Sequence, residues 1–247
     1  MWGSWLSSAR VGPNPAAPER GHDTDDQRRA RRPDTSENRH GRLYSEVLGL
    51  DLRLASASVL FQWLCASLLL GGRIRATAAQ QAAEALLRQG WTTAEKMAAS
   101  TWEERTRLLN RSGYARYDES TSRRLGDMAQ MLLDRYGGDL CNLREAAHRA
   151  PQEERRLLKE FKGVGDVRVD IFFREVQLVW DELYPFADRR AVHAASDLGL
   201  GNDAETLAHL VDPPEFARLV AALVRCDLGK HAAEILAEAD VTRTEAG

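Results

Sequence analysis

Cysteine and lysine are both scarce in this 247-residue sequence. The three cysteines, Cys65, Cys141 and Cys226, are odd in number and far apart, so they form neither a disulfide framework nor a CxxC metal pair. This usage is typical of a reducing compartment, and we expect a cytoplasmic protein. The lysines are Lys96, Lys159, Lys162 and Lys230, so arginine carries most of the positive charge.

A large net charge is also missing. The formal charge is -3, which gives no overall attraction to a polyanion, so any nucleic-acid site must be a local patch. This argues against a protein that coats DNA non-specifically, but not against an enzyme that contacts a few phosphates. The hydrophobic fraction of 43% and the charged fraction of 29% are ordinary for a soluble globular protein.

Long hydrophobic runs are limited to one, LASASVLFQWLCASLLL, from Leu54 to Leu70. It is close to the minimum length of a membrane span, but Gln62 and three serines interrupt it, which favours a buried core helix. The first residues lack a basic segment ahead of a long apolar one, so we expect neither a secretory signal nor a membrane partner.

Alternating β-branched runs are absent from Leu43 onward, and Ala, Leu, Arg and Glu dominate. The sequence therefore predicts an all-α fold of about a dozen helices, with one domain over 43–242. Residues 1–42 carry dense mixed charge without apolar periodicity, which predicts a disordered leader. The pattern places helices near 44–54, 57–70, 75–89, 92–98, 102–109, 117–136, 142–148, 151–161, 166–182, 189–198, 203–210 and 213–239, the last one with a break near Gly229.

The turn Gly163-Val164-Gly165 lies between a charged helical stretch and an apolar-rich one. Glycine allows positive φ and close approach of a ligand, and a turn that opens a helix points unpaired N–H groups outward at the positive end of the helix dipole. Such an arrangement binds phosphate, with Val164 buried beneath the turn. The alternative is a helix–helix turn with a C-cap glycine and no ligand, which the turn alone favours.

Basic residues flank this turn, and acidic residues partly cancel them. We expect Lys159, Lys162 and Arg168 to face phosphate together with the turn itself. The flanking cations are Arg155, Arg156, Lys159, Lys162 and Arg168, and the acids are Glu153, Glu154, Glu160 and Asp166.

Asp188 follows Pro185, at the place where a helix should begin. The plain interpretation is an N-cap whose carboxylate accepts from the amides of Arg190 or Ala191. A catalytic carboxylate at a helix start is compatible with that, because the amide bonds fix it and keep it ionised.

Together, the turn and the aspartate resemble the helix-hairpin-helix DNA glycosylases of the endonuclease III superfamily. The family's hairpin reads LPGVG, and this chain reads FKGVGDVRVDIF; downstream, the family has an aspartate in a V-D-T-H-like context, and this chain has FADRRAVHAASDLGLG. Upstream, FQWLCASLLLGG is similar to the family's first barrel helix, and the stretch around SGYARY to its G-[FY]-x-x-x-K-A segment. The resemblance runs from about Leu60 to Leu200.

The resemblance implies a two-lobed helical fold, with a barrel lobe over about 60–180 and a second lobe made of 43–59 with 185–242. It implies a monomeric DNA repair enzyme, associated with the nucleoid, that extrudes a damaged or mispaired base from duplex DNA. The hairpin would grip the backbone, and Asp188 would assist breakage of the base–sugar bond by stabilising an oxocarbenium-like sugar or activating water.

The chain departs from the family in three places. Bifunctional members have a lysine where this chain has Val167, so we expect hydrolysis without an efficient lyase step. Only Cys226 lies where relatives hold an iron–sulfur cluster, so no cluster is expected and a monovalent cation at the hairpin is the one cofactor left open. The C-terminal helices would instead pack through Leu219, Leu223, Leu228 and Ile235. The loop that fills the gap left by the flipped base reads Gly71-Gly72-Arg73, so Arg73 or Ile74 is the candidate wedge.

Two further polar residues have plain interpretations. His193 has no second histidine at ligand spacing, so we expect a surface or packed histidine and no metal site. Asp170 lies one turn beyond Val167 and is expected to be a solvated helix charge. Two alternative functions stay open: a catalytically inactive DNA-binding protein that kept the hairpin, and a helical scaffold without a DNA role.

Overall fold

A computed structural model describes residues 41–115 and 118–231. These residues are helical with turns and contain no β-strand, so the all-α prediction is confirmed for them. The predicted disordered leader, 1–42, lies outside the described residues except for its last two. The α-helices are α1 Tyr44–Val47, α2 Ala57–Leu70, α3 Ala76–Arg88, α4 Ala94–Ala99, α5 Trp102–Arg111, α6 Asp118–Tyr136, α7 Leu140–Ala146, α8 Pro151–Leu158, α9 Asp166–Val176, α10 Arg189–Asp197, α11 Ala204–Ala208 and α12 Phe216–Gly229.

Three predicted helices are shorter than expected because local turns interrupt them. The first is split into α1 and a 3-10 turn, Leu52–Leu54, with Gly49 at φ 75° between them. Helix α9 ends at Val176, and a second 3-10 turn, Asp181–Leu183, follows it. The last helix begins with a 3-10 turn at Pro213–Glu215 and ends at Gly229, which confirms the predicted break; its predicted continuation past 231 lies outside the described residues.

Helix α2 lies at the centre of the main core. Nine of its residues are buried, among them Phe61 and Trp63, which confirms that the uncharged run is a core helix. The indole Nε1 of Trp63 donates to the carbonyl of Phe172 at 3.1 Å, so the middle of α2 is tied to the middle of α9. In the part of the chain that the structure covers, no helix is both long and apolar enough to span a membrane.

A smaller core forms between α10 and α12. Leu219 and Leu223 pack there, as expected, together with Phe216. Leu228 is 52% exposed, so the prediction for it is wrong, because the helix ends beside it. Ile235 lies outside the described residues. Leu43 packs on Ala217 and Ala221 of α12, so the chain entering α1 contacts the C-terminal helix. The division into two lobes stays a prediction.

Helix α1 is held to α9 by one buried carboxylate. Glu175 accepts hydrogen bonds from the amides of Tyr44 at 2.7 Å and Ser45 at 2.9 Å. These two N–H groups lie at the start of α1, where the helix itself offers them no acceptor. Arg218 of α12 adds an ion pair with Glu46. These contacts fix the first described helix against the end of α9.

A buried acidic pair joins α8 to the Asp181–Leu183 turn. Glu154 is fully buried and neither of its carboxyl oxygens has a hydrogen-bond donor as partner, while Arg144 of α7 binds Glu182 with bonds of 2.6 and 2.5 Å. Burial, followed by the neighbouring Glu182, raises the pKa of Glu154 to about 8. The bond from Arg144 helps to lower the pKa of Glu182 to about 2, against the opposing effect of its own burial. A protonated Glu154 that donates to the Glu182 carboxylate accounts for both directions and for the absent donor.

Candidate functional site

The turn between α8 and α9 is built as the sequence predicts. Gly163 has φ +89°, which favours glycine, and a Cβ there would lie 2.5 Å from Cδ of Arg124. Val164 is buried, and its amide donates to the carbonyl of Phe161 at 2.9 Å. The turn is therefore pinned from beneath by Val164 and covered on one side by Arg124.

Gly165 is a glycine that the folded chain itself does not require. Its φ is -106°, and a Cβ there would have no neighbour within 4 Å. Among the described residues, the amides of Gly163, Gly165, Asp166 and Val167 donate to no acceptor. The start of α9 thus presents several free N–H groups beside open space, where the helix dipole is positive.

A cavity of about 550 Å³ lies against this helix start. Its walls are residues 165–168, the loop Gly71 to Arg73, Tyr114, and Thr121 with Arg124 of α6. The structure therefore brings three predicted DNA-binding residues to one cavity: the candidate wedge Arg73, and Gly165 and Arg168 from the hairpin side. Lys159 and Lys162 are not among its lining residues.

Two glycines allow the loop after α2 to pack this closely. A Cβ at Gly71 would lie 2.5 Å from Cγ of Arg168, and one at Gly72 would lie 2.3 Å from Oη of Tyr114. Arg168 also donates from Nε to the carbonyl of Leu68 at 3.0 Å. The end of α2 is thus bonded to α9, and Arg73 follows it in the loop that lines the cavity.

The positive charge of the site comes from arginines rather than lysines. Lys159 is paired with Asp166 at 2.8 Å and Lys162 with Asp127 at 3.0 Å, so both predicted phosphate-binding lysines already have carboxylate partners. Arg73, Arg124 and Arg168 form no ion pair with any residue in the described ranges. Burial lowers the pKa of Arg168, against the effect of Tyr114 and with a smaller contribution from the charge of Arg124. Sequence reasoning missed Arg124, because nothing in its local pattern indicates that α6 folds back onto the turn.

Asp188 caps α10 as predicted, but its carboxylate is enclosed. Oδ1 accepts the amides of Arg190 and Ala191, each at 3.1 Å, and Oδ2 accepts Nε of Arg174 at 2.8 Å and its Nη2. The side chain of Asp188 is 4% exposed and that of Arg174 is 10% exposed. Asp188 therefore does not line the cavity, and the expectation that its carboxylate opens on a cleft is not met in this conformation.

Gln177 fixes the segment that carries Asp188. Its amide group donates to the carbonyls of Arg174 at 2.7 Å and Phe186 at 3.0 Å, and its Oε1 accepts the amide of Phe186 at 2.9 Å. The turn lies at the amino end of α9, and Asp188 is bonded to Arg174 near the carboxyl end of the same helix. From Asp166 to Arg174 the rise along the axis is about 12 Å.

Asp170 lies between these two ends, and the expectation of a solvated charge is wrong for it. Its side chain is 25% exposed, and its Oδ1 accepts Nη2 of Arg155 at 2.7 Å. The guanidinium of Arg155 also stacks over Phe173 and Phe186, 5.2 and 5.8 Å from their ring centroids. Burial, reinforced by the Asp188 charge against the effect of Arg155, raises the pKa of Asp170.

His193 and four aromatic residues are divided between the surface and the core. His193 lies on the surface, with Nδ1 3.2 Å from Oδ1 of Asp227, and no cluster of metal-ligating side chains occurs within the described ranges. Trp63, Trp180 and Tyr114 are buried, whereas Trp102 is partly exposed beneath Arg123.

Comparison with known proteins gave no matching family model, no matching curated protein and no matching solved structure.

Proposed function

We propose that this chain is a DNA-binding protein of the helix-hairpin-helix glycosylase kind, and that it removes a damaged or mispaired base from duplex DNA by hydrolysis. The observation that carries the proposal is the meeting, at one cavity, of free amides at the start of α9 with arginines that no carboxylate of the described residues neutralises. Both the amides and the arginines are donors that fit phosphate oxygens.

The DNA backbone would pass over Gly165. The space beside Gly165 lets a phosphate approach the free amides, and Arg124 and Arg168 supply charge on either side of them. A local patch of this kind suits a protein whose overall charge is negative, because only a few phosphates are neutralised.

The cavity would receive the extruded base. Its volume of about 550 Å³ is within the usual range for small-molecule sites. Val167, at the position of the lyase lysine in the family pattern, is 56% exposed at its wall and cannot form a Schiff base. The proposed reaction is therefore hydrolytic base removal, with Asp188 as the carboxylate that the resemblance assigns.

A second candidate is favoured by the state of Asp188. Both of its oxygens are occupied, and Arg174 would have to withdraw before the carboxylate could reach a sugar. A protein that kept the hairpin and cavity but lost turnover, and that binds DNA without cutting it, accounts for this arrangement as well.

The experiment is a set of duplexes that carry uracil, oxidised, alkylated or mismatched bases, incubated with the full chain and scored for strand breaks with and without alkali. Breaks that require alkali in at least one duplex are the expected result. Salt-dependent binding without breaks in any duplex would identify the inactive DNA-binding protein. Breaks without alkali, with a protein–DNA adduct trapped by borohydride, would show that a lyase nucleophile exists. A DNA affinity no higher than that of an unrelated acidic protein would leave only the helical scaffold without a DNA role.

A further inference from the structure

We propose that Asp170, and not Asp188, is the carboxylate that activates water for base removal. This inference rests on the proposed function and concerns which residue performs its chemical step. Among the acidic residues on and beside α9, Asp170 combines a fixed orientation with an oxygen that is still open.

The open oxygen is Oδ2. Oδ1 of Asp170 is bound by Arg155, and Oδ2 accepts no hydrogen bond from the residues in the described ranges. It is also absent from the fully buried side-chain oxygens that lack a partner, so it reaches solvent. Asp188 has no such oxygen, since amides occupy Oδ1 and a guanidinium occupies Oδ2.

The position of Asp170 follows from helix geometry. Val167, Asp170 and Arg174 lie within about 60° of one another around the axis of α9, so they form one stripe along the helix. The exposed fraction of the side chains falls along this stripe: Val167 lines the cavity, Asp170 is 25% exposed, and Arg174 is 10% exposed. Asp188, bonded to Arg174, is 4% exposed. Asp166 lines the cavity as well, but Lys159 binds both of its oxygens, at 2.8 and 3.0 Å. Asp170 is thus the next carboxylate along the helix from the cavity wall, and it keeps an open oxygen.

Arg155 is the positioning residue for Asp170. Its guanidinium is held between the carboxylate and the rings of Phe173 and Phe186, which limits the freedom of both partners. Asp166 is a more distant partner of Arg155, at 3.6 Å, and is itself paired with Lys159. Asp170 therefore keeps one bound oxygen for orientation and one free oxygen for water.

The environment suits a general base. Burial raises the pKa of Asp170, which makes its carboxylate a better proton acceptor than a solvated one. The groups around it are Arg155 from α8, Arg174 on its own helix, and Asp188 from the start of α10. Arg174 neutralises Asp188 and so limits repulsion between the two carboxylates.

In the proposed step, an oxygen lone pair of water forms the bond to C1′ of the extruded nucleotide. The bond from C1′ to the base nitrogen breaks, and its electron pair leaves with the base. The water gives one proton to Oδ2 of Asp170, and the departing base takes a proton from solvent. The products are an abasic site with a 1′-hydroxyl and the free base.

The test compares Asp170→Asn, Asp188→Asn and Asp134→Asn in single-turnover base release, on whichever lesion duplex the wild type processes, alongside DNA affinity. Asp134 is an exposed aspartate of α6, far along the chain, and serves as the matched control. We expect Asp170→Asn to slow release by about 100-fold or more, the usual scale for a general base, with DNA affinity within a few-fold of wild type. The rate of base release by the wild type should rise as the pH passes through the raised pKa of Asp170. The rate for Asp170→Asn should not show this dependence on pH.

Asp170→Ser gives a second removal of the carboxylate if the asparagine variant folds poorly. Release that survives in both Asp170 variants but is lost in a folded Asp188→Asn would overturn the inference while the proposed function stands. Release by no form of the protein would overturn both.

Discussion

Arg174 donates from Nε to Oδ2 of Asp188 at 2.8 Å, and this bond joins the last turn of α9 to the cap of α10. Both side chains are almost fully enclosed, so the pair is a buried ion pair in which each charge depends on the other. The residue that the sequence nominates for catalysis is therefore also part of the framework.

Removing the charge of Asp188 should lower stability. Asp188→Asn leaves the buried Arg174 without a counter-charge, and we expect the free energy of unfolding to fall by about 3 kcal/mol, measured by urea denaturation. Arg174→Met combined with Asp188→Asn should recover part of this loss, because no unpaired charge remains. An Asp188→Asn protein as stable as wild type would show that the pair contributes nothing to the fold.

The two glycines of the turn should respond differently to alanine. Gly163→Ala requires positive φ and meets Arg124, so we expect a loss of about 1–2 kcal/mol in unfolding free energy. Gly165→Ala meets no neighbour and should cost at most about 1 kcal/mol, while it places a methyl group in the space proposed for phosphate. Duplex affinity measured at fixed salt should fall for Gly165→Ala. Unchanged affinity in that variant would place the backbone contact elsewhere.

Arg124 and Lys162 should differ in their salt dependence. Arg124 has no carboxylate partner in the described ranges and lines the cavity, so Arg124→Gln should reduce the slope of log affinity against log salt by about 1. Lys162 is paired with Asp127, and Lys162→Gln should change the slope less. Fluorescence anisotropy with an unmodified duplex from low to moderate salt gives both slopes. A larger change for Lys162→Gln would mean that its ion pair opens when DNA binds.

The Glu154–Glu182 pair should make stability depend on pH in two opposite ways. The pKa of Glu154 is raised to about 8, so its stabilising contribution is complete at low pH and is lost as pH rises through 8. The pKa of Glu182 is lowered to about 2, so its contribution is present above its ordinary value and is lost as pH falls toward 2.

Glu154→Gln removes the first of these effects. We expect the wild type to lose up to about 1 kcal/mol of unfolding free energy per pH unit between pH 5 and 8, and the variant to lose less. Urea denaturation at pH 5.5, 7 and 8.5 measures the difference, with Glu145→Gln as a control for an exposed glutamate paired to Arg149. Parallel curves for wild type and Glu154→Gln would show that Glu154 is ionised throughout.

Local features of this fold follow from the sequence because they depend on neighbours along the chain. The core helix α2, the buried Val164 and the cap at Asp188 each arise from residues within a few positions of one another. The end of α9 does not follow from neighbouring residues in this way, because Gln177, directly after the helix, bonds to Phe186 nine positions further along the chain.

The partners of the candidate site depend on packing between distant helices. Arg124 reaches the turn from α6, and Arg155 binds Asp170 from α8 while it stacks on Phe186. No spacing in the sequence reveals these contacts, because the number of residues between partners carries no geometric information once a helix and a loop intervene. The expected exposure of Asp170 is wrong for that reason, because the exposure of a helix face is decided by what packs on it.

Helix α9 is bonded to neighbouring segments along its whole length. Glu175 binds the start of α1, Asp170 binds Arg155, Arg174 binds Asp188, and Arg168 binds the carbonyl of Leu68 near the end of α2. Tilting α9 would strain all four attachments at once, so the amino end of the helix is held rigidly. If DNA binds at the amino end of α9 as proposed, the duplex would have to bend to fit this rigid helix, and the deformability of the DNA around a lesion would then help to determine where the protein binds.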